Sequence, residues 1–293
     1  MKVAVLGANG QLGSDVCAAF NRNGDEVVAL THSDLELTSA SSVDAALSAS
    51  MPEFIVNTAA MHHVEKCEAD PVAAFQTNAL GAKHVAEWAQ RAGSTVSYVS
   101  TDYVFDGTKG APYLETDVAS PLNAYGITKL AGEHFTSALA AKHFVLRVSA
   151  IYGLQPCRAK GGLNFVELML KLSRERDELR VVDDEFVTPT PTVQIAAQLV
   201  ALSRSSHYGL YHGTAEGSCS WYEFASEIFR ATDTKIRLEK ARPGEFPAKV
   251  PRPKYSVLEN RALKSTGLNV FTDWREGLKS YLNARANVEV PAS

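Results

Sequence analysis

Tyr125 and Lys129 stand four residues apart in Tyr125-Gly126-Ile127-Thr128-Lys129, and at that spacing a phenol and an amine share one face of a helix. A phenol is an idle acid near neutral pH, but a neighbouring ammonium favours the phenolate and brings its pKa toward working range. The chemistry such a pair offers is proton transfer to or from a substrate oxygen. The same spacing occurs in helices that do no chemistry, so other parts of the chain must supply the reacting partner.

The elements that could position such a pair begin at the first residues. The apolar run Lys2-Val3-Ala4-Val5-Leu6 leads into Gly7-Ala8-Asn9-Gly10-Gln11-Leu12-Gly13, and a helical pattern follows on Leu12, Val16, Ala19 and Phe20. Strand, glycine turn and helix in that order make a candidate dinucleotide site. The helix N-terminus offers unpaired N–H groups and a positive dipole end, and glycines let a pyrophosphate approach the backbone. The spacing of Gly7, Gly10 and Gly13 is Gly-x-x-Gly-x-x-Gly, looser than Gly-x-Gly-x-x-Gly. A second strand, 26–30, ends at Thr31-His32-Ser33, where such a fold meets the adenosine ribose. No acid stands there before Asp34 to hold a 2′-hydroxyl, and no arginine to grip a 2′-phosphate. NAD(H) and NADP(H) both stay open, with the balance toward NADP(H).

A third strand, 54–57, opens into Thr58-Ala59-Ala60-Met61, small residues that suit close passage of a cofactor. The pattern then predicts a helix over about 71–91, a fourth strand over 95–99 and a fifth over 144–148. Ligands of doubly wound sheets bind beyond the carboxyl ends of the strands, so Ser100 to Gly107 and the Tyr125 segment fall where substrate chemistry belongs. Past residue 150 the alternation loses its regularity. Helices are predicted over 162–176, 193–203 and 273–283, a strand over 179–182, a further helix from the capping box Ser220-Trp221-Tyr222-Glu223 to about Thr232, and a mobile polar tail. The expected fold is α/β: a doubly wound Rossmann-type parallel sheet with a smaller C-terminal α/β substrate domain. The first covers 1–155 and takes in about 190–212; the second covers 156–189 and 213–293.

Composition narrows the partners. The chain has 293 residues, 45% of them apolar, with 29 basic against 33 acidic residues and a net charge of -4. There is no basic block for a nucleic acid or an anionic membrane surface, and no apolar run long enough to span a bilayer, so a small molecule is the expected partner. The N-terminal run is too short for a signal peptide, and Cys17, Cys67, Cys157 and Cys219 lack metal or disulfide spacing. A cytoplasmic protein with reduced thiols and no metal is expected; His62 and His63 have no ligand set beside them. Arg252, followed by Pro253, is suited either to a substrate diphosphate or to pinning a loop.

Three stretches in order, Gly7-x-x-Gly10-Gln11-Leu12-Gly13, Ser100-Thr101-Asp102-Tyr103-Val104-Phe105-Asp106-Gly107 and Tyr125-Gly126-x-x-Lys129-Leu130-Ala131-Gly132-Glu133, resemble the extended short-chain dehydrogenase/reductases. Among these the resemblance is to the dTDP-4-dehydrorhamnose reductase family, with further matches at Gly162-Leu163-Asn164-Phe165, Val182-Asp183-Asp184-Glu185, Pro189-Thr190, Ser220 to Ala225, Arg252-Pro253 and Ser256-Val257-Leu258. It implies a catalytic set of Thr101, Tyr125 and Lys129, acting on the C4 ketone of a nucleotide-linked 6-deoxyhexose. It implies that Gly10, Gln11 and Leu12 meet the pyrophosphate of NADP(H) or NAD(H), that Asp34 and Leu35 lie near the adenine, and that Ala59, Ala60 and Met61 line the adenosine side. Asp102 and Tyr103 are implied at the sugar, and Lys129 also at the nicotinamide ribose. Members of the family are often dimers, which makes a homodimer an expectation here.

Two positions depart from the pattern. An aromatic that packs on the sugar often follows Arg-x-Ser of the fifth strand, whereas Ala150 follows Arg147-Val148-Ser149; Met61 and His62 replace the usual continuation of the third-strand loop. Losing one stacking ring removes contact worth on the order of 1–3 kcal/mol, which bears on the sugar and leaves the chemistry intact. The same fold and triad also serve nucleotide-sugar epimerases and dehydratases, and a regulatory subunit of methionine adenosyltransferase resembles the same family.

Overall fold

Val3 and Val5 point to one face of the central sheet, Ala4 and Leu6 to the other, and all four are buried. Residues that alternate between two covered faces are what a parallel sheet clad in helices requires. The computed structural model describes residues 1–156, 162–242 and 244–289. In chain order the first elements are β1 (Lys2–Leu6), α1 (Gln11–Arg22), β2 (Glu26–Leu30), α2 (Ala40–Ser50), β3 (Phe54–Asn57), α3 (Val64–Ala69), α4 (Pro71–Phe75), a π-helical turn (Gln76–Leu80), α5 (Gly81–Ala92) and β4 (Thr95–Thr101). There follow α6 (Ala124–Leu139), β5 (His143–Val148), β6 (Ile151–Tyr152), α7 (Phe165–Glu175), β7 (Glu178–Val181), β8 (Phe186–Val187), β9 (Thr190–Pro191) and α8 (Thr192–Ser203). The last are β10 (Gly209–His212), β11 (Cys219–Ser220), α9 (Trp221–Ala231), β12 (Arg237–Lys240), α10 (Arg261–Thr266) and α11 (Trp274–Glu289).

The central sheet has six parallel strands in the order β10-β5-β4-β3-β1-β2. One face is packed by Val16 and Phe20 of α1 and Ile195, Leu199 and Leu202 of α8; the other by Val43 and Leu47 of α2 and Val85 and Trp88 of α5. The strand order turns back at β1, with β2 on one side and β3 on the other, which is the topological switch where doubly wound sheets take ligands. A second apolar core is separate from the sheet. It is built from Val166, Met169 and Leu170 of α7, Leu179 and Val181 of β7, Phe224 and Ile228 of α9, and Trp274 and Leu278 of α11.

Several boundaries differ from the sequence expectation for local reasons. The single helix expected over 71–91 is interrupted by the π-helical turn, whose Asn78 is buried and bonds to Met61 and Thr128 instead of facing solvent. Helix α7 starts at Phe165 rather than at 162, because the Asn164 side chain accepts the Glu167 N–H and caps it there. The last helix runs on to Glu289, six residues beyond the expected end, through part of the stretch taken as a mobile tail. The Ser220–Glu223 capping box forms in both directions. Cys17, Cys67 and Cys219 are free thiols, and Cys157 lies outside the described residues. No helix among the described residues is long and apolar enough to cross a membrane.

Candidate active site

The glycine turn is shaped by contacts that exclude side chains. Gly7 has φ 77° and donates its N–H to Leu30 O at 2.9 Å, tying the turn to the end of β2. A Cβ on Gly13 would stand 2.1 Å from the Gly7 carbonyl oxygen, so α1 can start this close to β1 only with glycine there. Gly10 is the N-cap of α1 and has no side chain to cap it, which leaves first-turn N–H donors for an anion. Leu12 is buried in the core, so only its backbone faces the turn. Gln11 reaches away, its amide donating to Gly153 O at 3.3 Å and Gln155 O at 2.8 Å. A bare helix start beside a side-chain-free turn fits a pyrophosphate, so the residues present suit a dinucleotide.

Asp34 folds back on the end of β2, where its carboxylate accepts the Thr31 N–H at 2.9 Å and hydroxyl at 2.6 Å. Those hydrogen bonds hold its pKa below the ordinary carboxylate value. In sequence Asp34 stands three residues past Thr31; the turn brings its carboxylate back to the strand end. Leu35 is buried in the core beneath. Ala59 comes within 3.0 Å of a Cβ built on Gly7, Ala60 follows it, and Met61 is held at both backbone groups by Asn78, each at 2.9 Å.

Thr101 ends β4, and Tyr125 and Lys129 rise on the first turns of α6. Asn123 caps α6 by accepting the Gly126 N–H at 2.9 Å, and Glu68 of α3 accepts the Ala124 N–H at 2.9 Å. A Cβ on Gly126 would meet Tyr103 O at 2.2 Å, so the helix start is pressed onto the segment after β4. The Thr101 hydroxyl is near enough to the Tyr125 phenol to favour its ionised form, and the Tyr103 ring meets the Tyr125 ring edge-on at 5.8 Å. These four residues are brought together at the carboxyl end of β4.

The electrostatics differ from the simple expectation. Burial raises the Tyr125 pKa well above the usual phenol value, offset in part by the Thr101 hydroxyl and reinforced by Asp102. The Lys129 ammonium is buried too. It donates to Val99 O at 2.6 Å and lies 3.9 Å from the centre of the Tyr98 ring, and burial pulls its pKa down to about 7. Lys129 is thus turned onto the strand, and the phenol is held in its acid form.

Asp102 is buried with both oxygens engaged, Oδ1 by the Thr101 hydroxyl at 3.0 Å and Oδ2 by the Ser149 hydroxyl at 2.8 Å. Burial raises its pKa, against the hydroxyls of Ser256, Ser149 and Thr101. Its carboxylate therefore faces the protein and supports Thr101, which departs from the expectation that Asp102 meets the sugar. Arg252 is ion-paired with Glu65 of α3, and Pro251 O accepts the Asn123 amide at 2.9 Å. Ala150 sits at φ 43°, a left-handed conformation that is costly for a residue with a Cβ.

Sequence reasoning missed Glu68, Asn78, Asn123, Glu133 and Ser149. One signal was legible: Arg147 interrupts the apolar strand Phe144-Val145-Leu146-Arg147-Val148, and a cation inside a buried strand demands a buried anion. Glu133 is that anion, bonded to Arg147 at 2.7 Å. His63 pairs with Glu65 at 3.1 Å, and among the described residues no group of three His, Cys, Asp or Glu could hold a metal ion.

Residues 1–287 match the family described as RmlD substrate binding domain. A spore coat polysaccharide biosynthesis protein, SpsK, of Bacillus subtilis (strain 168) is 37% identical over 286 residues, covering 98% of each chain. A dTDP-4-keto-6-deoxy-D-glucose reductase of Streptomyces niveus is 37% identical over 281 residues, covering 94% of each. The crystal structure of a dTDP-4-dehydrorhamnose reductase from Bacillus anthracis str. Ames in complex with NADP superposes with a TM-score of 0.90 at 35% identity, covering 97% of this chain and 99% of that one.

Proposed function

The chain belongs to the RmlD substrate binding domain family, and from that premise we propose that it reduces the C4 ketone of dTDP-4-dehydrorhamnose to dTDP-rhamnose. It is an NAD(P)-dependent oxidoreductase that acts on a nucleotide sugar. The observation that carries the reading is Tyr125, protonated and partly buried, beside Thr101 at the carboxyl end of β4, within one helix face of Lys129.

The reduced nicotinamide, when bound, supplies the hydride that goes to C4. Gly7, Gly10 and Gly13 give its pyrophosphate a bare helix start, and Asp34 stands at the strand end that takes the adenosine. Tyr125 gives its phenolic proton to the C4 oxygen as the carbonyl bond becomes a C–O single bond, so hydride and proton together complete the alcohol. Thr101, whose hydroxyl donates to Asp102 Oδ1 in the free protein, turns that one proton to the C4 oxygen when substrate is present, while Ser149 keeps the Asp102 carboxylate in place. Lys129 gives one N–H to Val99 O, and we assign its remaining donors to the nicotinamide ribose and its charge to stabilising the phenolate left on Tyr125. Tyr103 and Arg252 meet the substrate, the latter at the diphosphate. We assign cofactor binding to residues 1–155 with about 190–212, and the nucleotide sugar to the cleft this part forms with 156–189 and 213–293.

The test is to incubate the protein with dTDP-4-dehydrorhamnose and each reduced nicotinamide. Oxidation of the nicotinamide with formation of dTDP-rhamnose is expected. Unchanged nicotinamide absorbance with both cofactors would falsify the substrate assignment.

A further inference from the structure

Glu133 joins several parts of the site from beneath. Its carboxylate is 5% exposed, takes the Arg147 guanidinium at Nε (2.9 Å) and Nη2 (2.7 Å), and accepts the Ser100 hydroxyl at 2.5 Å. Ser100 immediately precedes Thr101 on β4, and Lys129 lies one turn earlier than Glu133 on α6. One buried carboxylate is therefore bonded to the strand that carries the hydroxyl and shares a helix face with the amine. A buried ion pair contributes little net stability, because desolvating two charges cancels most of their attraction. Its position directly under the reacting groups points to another use.

The surroundings of Lys129 identify that use. The titratable groups that act on the ammonium are Cys67 from α3, Tyr98 from β4 and Glu133 from its own helix, with Arg147 of β5 bound to Glu133 and Tyr125 one turn back on α6. Burial keeps Cys67, Tyr98 and Tyr125 neutral at neutral pH. Glu133 is the foremost charge favouring the ammonium against its burial.

We propose that Glu133 is a positioning residue of the reduction, keeping Lys129 charged and the Ser100–Thr101 strand end in register through one carboxylate. The role in turnover rests on the reductase reading above; the effect on Lys129 does not.

Two variants separate this from a merely structural salt bridge, because they act on Lys129 in opposite directions. Glu133→Gln removes the anion and leaves the Arg147 cation, so Lys129 gives up its proton at lower pH. Arg147→Met leaves the anion, so Lys129 keeps its proton to higher pH. NMR titration of lysine 13Cε resonances, assigned by their loss in Lys129→Met, reads both shifts without cofactor or substrate; about one pH unit each way is expected. The alkaline limb of kcat/KM moves in the same directions. Lower melting temperatures in both variants with no shift, or with shifts of one sign, would overturn the proposal. Should either variant fail to fold, Glu133→Gln with Arg147→Met removes both members of the ion pair and still lowers the Lys129 titration; an unmoved titration there is equally fatal. Shifts as expected, in a protein that oxidises no nicotinamide with any nucleotide sugar, would place the failure on the reductase reading alone.

Discussion

Arg252 and Glu65 are ion-paired, joining the segment after Val250 to the start of α3. The Arg252 Nε is buried without a hydrogen-bond partner, so the guanidinium retains a donor beyond those that Glu65 occupies. A diphosphate is a stronger partner for a planar fork of donors than a single carboxylate, and under the proposed function the substrate diphosphate would compete with Glu65 for this group. Arg252→Gln is expected to raise the KM for the nucleotide sugar about tenfold or more, a loss near 1.4 kcal/mol of binding, with a smaller change in kcat. Steady-state kinetics at saturating cofactor measure this. A lowered melting temperature with an unchanged KM would mean that Arg252 only pins the loop.

Tyr125→Phe keeps the ring that meets Tyr103 edge-on and removes only the hydroxyl that carries the proton. Turnover is expected to fall by about 10²–10⁴-fold, the range of general-acid contributions. Cofactor affinity, read by quenching of protein fluorescence, stays within about twofold because the glycine turn is untouched. Retained turnover would remove Tyr125 as the acid.

Gly13→Ala tests the cradle by filling it. The new Cβ would lie 2.1 Å from the Gly7 oxygen and 3.0 Å from Ala8 Cα, and both are backbone atoms that cannot swing aside. Either α1 moves off the turn or the turn opens, and overpacking of this kind costs about 1–3 kcal/mol. Loss of cofactor binding with a lower melting temperature is expected. Wild-type affinity by calorimetry would show that the turn does not hold the pyrophosphate.

How far the sequence carried the reading depends on the distance between partners along the chain. The glycine turn and the Tyr125–Lys129 pair are local, set by spacings of a few residues, and the alternation of Val3, Ala4, Val5 and Leu6 states that both faces of β1 are covered. Partners far apart in sequence leave no such mark. Ser149 reaches Asp102 across 47 positions, Glu68 reaches Ala124 across 56, and Asn123 reaches Pro251 across 128. Periodicity reports which face a residue takes, and a polar residue on a buried face looks like an error in the pattern until its partner is located. Asn78 illustrates this, since its burial is explained only by Met61 and Thr128.

Acid stability offers a last test, away from the cleft. Asp25 is buried between the end of α1 and β2, where it pairs with Arg204 and accepts from Asn23 at 2.9 Å and the Met1 amino group at 2.9 Å. Burial works against its charge, but Arg204, Asn23 and the amino group outweigh it and bring the pKa down from 3.8 to about 2. A carboxyl whose pKa is lower in the folded state than in the unfolded chain contributes stability above the unfolded value. That contribution is lost as pH falls through the folded one. The window here is thus between about pH 4 and about pH 2. With the Arg204 side chain 42% exposed, the contribution is discounted for solvent screening to on the order of 1 kcal/mol. Urea unfolding of the wild type and of Asp25→Asn is therefore expected to show a gap of that size near neutral pH that closes toward about pH 2. A gap that stays constant over the window would mean that Asp25 is not the group titrating there.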